Sequence, residues 1–268
     1  MDSCRKISIM GIVNLTDDSY FAESRCVDVQ AAIGRVEKLV EEGADIIDIG
    51  ACSTRPGSLP VGQEEEWRRL RPTLDAVRKA FPDVQISIDT YWSSVVRHAY
   101  DLIGDFIVND ISAGDDDPMM LGTVGRLGLT YVAMHKRGTP ETMQSMAVYK
   151  DVVSDVLEYF NAFSKKALEH GIKDWILDPG FGFAKSIEHN YELMRGLDIF
   201  KETFPSNRLL VGVSRKSMIY RYFDIRPEES LSATQVLHLK ALQNGADILR
   251  VHDVAEAGRT VSLYRMLD

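Results

Sequence analysis

Residues 175–185 read Trp175-Ile176-Leu177-Asp178-Pro179-Gly180-Phe181-Gly182-Phe183-Ala184-Lys185. Three apolar residues run straight into a carboxylate. The proline and glycines behind it prevent any regular continuation, so the stretch reads as a buried strand that stops at Asp178. Taken alone, an aspartate beside proline and glycine is most simply the cap of a turn. Working outward, however, the same pattern recurs about eight times: a short apolar run, a polar residue at its end, and a polar or glycine-containing loop.

The other runs are residues 7–13, ending at Asn14; Ile46-Ile47-Asp48-Ile49-Gly50; residues 85–88, ending in Asp89-Thr90; and Phe106-Ile107-Val108, ending in Asn109-Asp110. Residues 130–134 then end in His135-Lys136, residues 209–213 run into Ser214-Arg215-Lys216-Ser217, and Ile248-Leu249 runs into Arg250-Val251-His252-Asp253. Between them, apolar residues spaced by three and four predict helices over 29–42, 64–81, 93–100, 118–127, 152–170, 190–204, 230–244 and 254–267. Pro72 should bend the second helix or split it, and Ser93 is placed to cap the third. Strands this continuously apolar are buried on both faces and therefore belong to a parallel sheet. Eight such strands alternating with helices in 268 residues predict an α/β fold, a (β/α)8 TIM barrel forming one domain over residues 1–268, with its active site at the carboxyl ends of the strands. A doubly wound open sheet alternates in the same way and is the competing fold.

Composition narrows the function. With 45% hydrophobic residues the chain can bury a large core. A net charge of −9 argues against nucleic-acid or anionic-membrane binding, so any anionic ligand must meet a local basic cluster. Cys4, Cys26 and Cys52 are odd in number and widely spaced, which predicts free thiols in a reducing compartment. The amino-terminal residues lack the sections of a signal peptide and no apolar span reaches membrane length, so a cytoplasmic protein is expected.

In a barrel the strand tips converge, and Asn14, Asp48, Asp89, Asn109, His135, Asp178, Lys216, Arg250 and His252 would ring one opening. Asp89, Asn109, Asp178 and Lys216 suit the edge of a flat, amide-bearing heterocycle; Arg250, His252, Thr54 and Asn14 suit a phosphate and its metal. On the residues alone, Asp89 and Asp178 equally fit structural acids bonded to loop amides. His135 reads as a rim histidine held by its loop, Asp115 to Asp117 as a solvated loop, and Cys52 as an inert thiol.

Seven stretches resemble the dihydropteroate synthase family, in order and each at an expected strand tip: Met10-Gly11-Ile12-Val13-Asn14-Leu15-Thr16, Ser53-Thr54-Arg55-Pro56-Gly57, Ile88-Asp89-Thr90, Asn109-Asp110-Ile111, Asp178-Pro179-Gly180-Phe181-Gly182-Phe183, Ser214-Arg215-Lys216-Ser217 and Arg250-Val251-His252-Asp253. The resemblance implies a (β/α)8 barrel that condenses 6-hydroxymethyl-7,8-dihydropterin pyrophosphate with 4-aminobenzoate, giving 7,8-dihydropteroate and pyrophosphate by a dissociative, SN1-like displacement. By position it implies that Asp89, Asn109, Asp178 and Lys216 hold the pterin, that Asn14 is the direct Mg²⁺ ligand, and that Thr54, Arg250 and His252 grip the pyrophosphate. Lys216, Arg250, Asp89 and Asp178 form the implied catalytic set. Thr54, Arg55, Pro56, Phe183, Lys216 and Ser217 would form the aminobenzoate pocket, the usual sulfonamide target, when residues 15–26 and 51–62 close. The family is usually homodimeric.

Three departures concern loop geometry: Asp17 stands where the family usually has Pro, Ala51-Cys52 replaces Gly-Glu, and Ala184 replaces a glycine. A pterin-binding methyltransferase that moves a methyl group from a methylated folate to a corrinoid would share Asp89, Asn109 and Asp178. It would not need residues 214–217, the Thr-Arg loop, Arg250 or His252. A catalytically silent pterin-binding paralogue is a further reading.

Overall fold

Eight apolar runs form eight strands: β1 (Ser8–Asn14), β2 (Ile46–Gly50), β3 (Gln85–Asp89), β4 (Ile107–Asp110), β5 (Thr130–Met134), β6 (Trp175–Asp178), β7 (Arg208–Val211) and β8 (Ile248–Val251). In the computed structural model, which describes residues 5–15, 28–52, 61–138, 142–143 and 145–267, they pair in parallel and in sequence order, and β8 closes onto β1. The closed barrel excludes the open-sheet alternative.

Side chains alternate along a strand, so residues two apart share a face. Met10, Ile46, Ile107, Val132, Ile176, Leu210 and Ile248 form their own buried apolar cluster inside the barrel. Two residues further along their strands stand Asp48, Asn109, Asp178 and Arg250, with Gly212 just past β7 and the apolar Ile12 and Met134 completing the layer. The barrel is therefore plugged by an apolar floor with a polar layer directly above it. On β3 the floor position is Ser87, in register between Asp48 and Ile107, fully buried and with no hydrogen-bond partner for its hydroxyl.

The helices are α1 (Val29–Glu41), α2 (Gln63–Ala80), α3 (Ser93–Ile103), α4 (Met120–Leu127), α5 (Val152–Glu169), α6 (Ile187–Arg195), α7 (Leu197–Thr203), α8 (Ser217–Phe223), α9 (Leu231–Gln243) and α10 (Val254–Leu267). They bury their apolar faces against the strands' outer surface. There Trp175 meets Phe160, Phe163 and Phe204 at centroid distances of 6.1, 5.0 and 5.8 Å. Among the described residues no helix is long and apolar enough to cross a membrane.

Pro72 lies inside a single helix, α2, so of the two expectations for it the split is excluded. Other local expectations change. Ser93 is the first residue of α3 rather than its cap; its N–H donates to Asp117 Oδ2 at 2.7 Å, so the cap comes from the loop after β4. That loop is also tied by Asp115 to Lys166 and Asp116 to Lys136. The helix expected over 190–204 begins earlier, where Ser186 and His189 form a reciprocal cap, and it divides at Gly196. A Cβ at Gly196 would come within 2.7 Å of Val153, so the break lets this segment approach α5. The short α8 was not anticipated, because its seven residues carry too few turns for a periodic signal.

The floor makes a stability prediction. Ile176→Ala removes a fully buried side chain where neighbouring strands cannot collapse. It should lower unfolding free energy by about 2–5 kcal/mol, read from urea denaturation.

Candidate active site

The polar layer is organised by one cation. Arg250 Nε donates to Asp48 Oδ2 at 2.7 Å and its terminal nitrogen to Asp89 Oδ2 at 3.0 Å, joining β8 to β2 and β3. Asp48 is fully buried, and its carboxylate also accepts from Asn109 Nδ2 at 3.2 and 3.1 Å. Burial raises the Asp89 pKa to about 7 against the pull of Arg250, and the carboxylates of Asp48, Asp110 and Asp178 add to the rise. Asp89 nevertheless keeps a fifth of its side chain exposed, so this carboxyl faces the opening.

Asp178 ends β6 beside this cluster. Its Oδ1 accepts the Gly180 N–H at 2.8 Å. Burial raises its pKa, with Lys216 the largest opposing influence. Lys216 lies just before α8; its ammonium donates to the Phe181 carbonyl at 2.5 Å and sits 5.0 Å over the Phe183 ring. Burial lowers the Lys216 pKa to about 8, against the attraction of Asp178. Ser217 is the first residue of α8. Gly180 and Gly182 adopt left-handed φ angles of 72° and 83°; a Cβ at Gly180 would lie 1.9 Å from the His135 carbonyl oxygen, so this turn requires glycine there.

His252 follows β8. Its backbone N–H donates to Ser214 Oγ at 3.2 Å, and its Nδ1 lies 3.1 Å from the same oxygen. Burial, then Arg250, pushes its pKa down to about 3, so the imidazole is neutral at ordinary pH. Asn14 ends β1 in register with Gly50. His135 is buried and neutral, its pKa lowered to about 2 by burial and then by Lys185, whose ammonium in the turn after β6 lies 3.0 Å from its Nδ1. Burial raises the Cys52 pKa, in keeping with an inert thiol. Thr54, Arg55 and Pro56 lie outside the described residues, as do most of the two loops expected to close.

Asp89, Asn109, Asp178, Phe183, Lys216, Ser217, Arg250 and His252 thus come from strand ends or the loops following them at one end of the barrel. The grouping differs from the sequence reading in one respect. Arg250, placed with the phosphate ligands, is bound into the Asp89 and Asn109 set through Asp48.

Sequence reasoning gave no role to Lys185, Glu66 or Arg215, and placed Asp48 at the opening without a partner. Arg215, with a left-handed φ of 54°, pairs with Asp253 at 2.8 and 2.9 Å and with the carbonyls of Pro227 and Glu228, tying the loop after β7 to that after β8. Glu66 follows two other acidic residues, Glu64 and Glu65, in the first turn of α2. Standing four residues before Leu70 and eight before Leu74 puts it on the buried face of α2, and that signal was legible.

Comparisons with known proteins identify the family. Residues 10–252 match the family of pterin binding enzymes. A dihydropteroate synthase of Haemophilus influenzae is 40% identical over 260 residues, covering 96% of this chain and 92% of that protein. The chain belongs to the dihydropteroate synthase family, the pterin-binding alkyl transferases of folate biosynthesis. A dihydropteroate synthase structure from Yersinia pestis in a sulfonamide drug complex superposes with a TM-score of 0.91 at 32% identity, covering 98% of this chain and 94% of that one. The Xanthomonas albilineans dihydropteroate synthase with 4-aminobenzoic acid gives 0.88 at 34% identity, with 98% and 93% covered. Membership in the dihydropteroate synthase family favours the synthase reading over the corrinoid-dependent methyltransferase.

Glu66 supplies a pH test. It is fully buried, and burial raises its pKa to about 7 against the pull of the Thr90 hydroxyl, with the Asp89 charge adding to the rise. A carboxyl whose pKa is higher folded than unfolded binds more protons in the folded state between the two values, so its ionisation destabilises the fold as pH rises through that window. The stability difference between Glu66→Gln and wild type should therefore move in the variant's favour by about 3 kcal/mol from pH 4.5 to pH 8, measured by denaturation at a series of pH values.

Proposed function

We propose that the chain joins 4-aminobenzoate to 6-hydroxymethyl-7,8-dihydropterin pyrophosphate, releasing pyrophosphate, with the ring held by Asp178, Asp89, Asn109 and Lys216. The observation that carries this reading is the Asp178 carboxylate, oriented by the Gly180 N–H and set beside Lys216 at the barrel mouth. An oriented carboxylate accepts two parallel hydrogen bonds from an amino group and an adjacent ring N–H. Lys216 and Asn109 supply donors for the ring's acceptors, and Phe183 contributes an aromatic wall beside Lys216. The walls toward aminobenzoate are assigned to Thr54, Arg55, Pro56 and Ser217 by family resemblance.

The reaction needs no protein nucleophile. The methylene C–O bond breaks as pyrophosphate departs, electron density from the dihydropterin ring supports the developing cation, and the aminobenzoate nitrogen forms the new C–N bond with loss of one proton. The protein's work is to orient the ring and stabilise departing negative charge. Arg250 uses Nε and one terminal nitrogen on Asp48 and Asp89; its other terminal nitrogen is assigned to the pyrophosphate, together with Thr54 and a neutral, hydrogen-bond-donating His252.

A magnesium ion fits this donor set. Among the described residues no group of three or more His, Cys, Asp or Glu side chains could hold a metal, while Asn14 offers a carboxamide oxygen at the end of β1. Mg²⁺ keeps much of its water and takes phosphate oxygens, so one protein ligand suffices. Bound there, it would offset charge on the departing pyrophosphate. We also read the enzyme as a cytoplasmic homodimer. Tyr222 and Phe223 on α8, Val236 on α9 and Leu263, Met266 and Leu267 on α10 are exposed apolar side chains that a second copy could cover.

Mixing the protein with pterin pyrophosphate, 4-aminobenzoate and Mg²⁺ should release pyrophosphate and form dihydropteroate. An intact pterin substrate after prolonged incubation would favour the silent paralogue. Lys216→Ala should weaken pterin pyrophosphate binding by about 1.5–3 kcal/mol, as for loss of a charged donor, and an unchanged Kd would remove Lys216 from the pterin site. With pterin pyrophosphate present, calorimetry should detect 4-aminobenzoate binding in Mg²⁺ and lose it in chelator; equal affinities would contradict the metal's role.

A further inference from the structure

Lys185 closes the stretch 175–185, yet neither the fold nor the proposed reaction uses it. It is 4% exposed. Its ammonium lies 2.9 Å from the Gly180 carbonyl, 3.1 Å from the Phe183 carbonyl and 3.0 Å from His135 Nδ1. An ammonium has three protons to donate, and these are three acceptors, with His135 kept neutral by burial.

The Gly180 peptide links this lysine to the site. Its carbonyl accepts from Lys185, while its N–H donates to the Asp178 carboxylate. The His135 backbone N–H holds the Asp178 carbonyl at 2.9 Å, so His135 touches both ends of the arrangement. Lys216 secures the Phe181 carbonyl, and Asn190 Oδ1 accepts the Gly182 N–H at 2.7 Å. Successive groups of the turn are thereby anchored, with Lys185 supplying two of the anchors. Ala184 is held at a left-handed φ of 50°, a conformation unfavourable for an L-residue with a Cβ. Bonds from Lys185 to the carbonyl on its amino-terminal side hold that turn in place.

We propose that Lys185 is a positioning residue for the transfer reaction: from beneath the turn after β6 it sets the peptide that orients Asp178 and adds a further positive charge, besides Lys216 and Arg250, near that carboxylate. This rests on the reading of Asp178 as the pterin-binding carboxylate. The groups acting on Lys185 are Asp178 at the end of β6, Lys216 before α8, and Arg137 and His135 after β5. Burial lowers the Lys185 pKa to about 7; Asp178 opposes the change, whereas Lys216 and Arg137 add to it. The charge supplied to Asp178 is therefore lost as pH rises through neutrality.

The test compares wild type, Lys185→Met, His135→Leu and Asp178→Asn by steady-state kinetics in both substrates and by titration with 6-hydroxymethyl-7,8-dihydropterin pyrophosphate. Lys185→Met should raise KM and Kd for the pterin substrate about tenfold or more, while KM for 4-aminobenzoate changes less than about threefold. The ratio of wild-type to variant pterin affinity should be largest near pH 6 and shrink toward pH 9, where wild-type Lys185 is also uncharged; a packing defect alone would give a ratio independent of pH. If Lys185→Met fails to fold, His135→Leu decides, because it keeps the charge and removes one anchor, and it should raise the pterin KM severalfold. A folded Lys185→Met, or failing that a folded His135→Leu, with wild-type pterin KM overturns the proposal if Asp178→Asn loses affinity. Unchanged affinity in Asp178→Asn would overturn the underlying site assignment as well.

Discussion

One guanidinium shared by two carboxylates is the interaction on which the barrel mouth depends. Asp48 and Asp89 stand on adjacent strands, and Asp178 and Asp110 lie close enough to raise the Asp89 pKa. Carboxylates gathered in a desolvated opening repel one another and would favour protonation. Arg250 offsets that repulsion at distances of 2.7 and 3.0 Å, and Asn109 satisfies Asp48 from the other side. Removing one member of such a cluster leaves an uncompensated charge, which costs more than the pair itself contributes. The ring of strand-tip acids and amides is therefore a coupled unit, and its geometry is as much a property of Asp48, which has no assigned contact with substrate, as of the residues that face the ligand.

The fold was legible because its signal is local and repeated. Each apolar run specifies a strand, each following polar residue marks a tip, and the even alternation leaves few topologies. The helix boundaries were less legible where tertiary contacts override local preference: Asp117 caps α3 from a different loop, and Gly196 breaks a helix to let Val153 approach. In the site, the residues at the tips could be named, but their pairings could not. Nothing near Arg250 in sequence indicates that its partners lie 202 and 161 residues away, nor does anything near Arg215 point to Asp253, 38 residues on. Glu66 is the exception: four residues before Leu70 and eight before Leu74, its place on the buried face of α2 follows from helical spacing alone.

The turn after β6 shows how a departure from the family pattern is absorbed. Ala184, where a glycine is usual, takes a left-handed φ angle that an L side chain disfavours. The cost is tolerable because the neighbouring carbonyls are held by buried ammonium groups and the glycines at 180 and 182 take the other left-handed positions. Local strain persists where surrounding structure over-determines it. The substitution alters a backbone preference while the N–H groups of Gly180, Gly182 and Phe183 and the carbonyls of Gly180, Phe181 and Phe183 stay bonded, so the Asp178 carboxylate keeps the orientation on which the proposed chemistry relies.

Charge also explains how an acidic chain can take an anionic substrate. The chain carries a net charge of −9, and in the mouth its cations Arg250 and Lys216 are already engaged with carboxylates or a carbonyl. On the proposed reading, ring N–H groups arriving at Asp178 favour its ionised form, while pyrophosphate favours protonation of Lys216, whose pKa has fallen to about 8. These effects move protons in opposite directions. A ligand carrying both the donor ring and the anionic tail therefore exchanges fewer protons with solvent than either part alone, and each end strengthens the charge state that the other needs. Selectivity for the activated pterin over free pyrophosphate then follows from electrostatics within one cluster, with no requirement for a large basic surface.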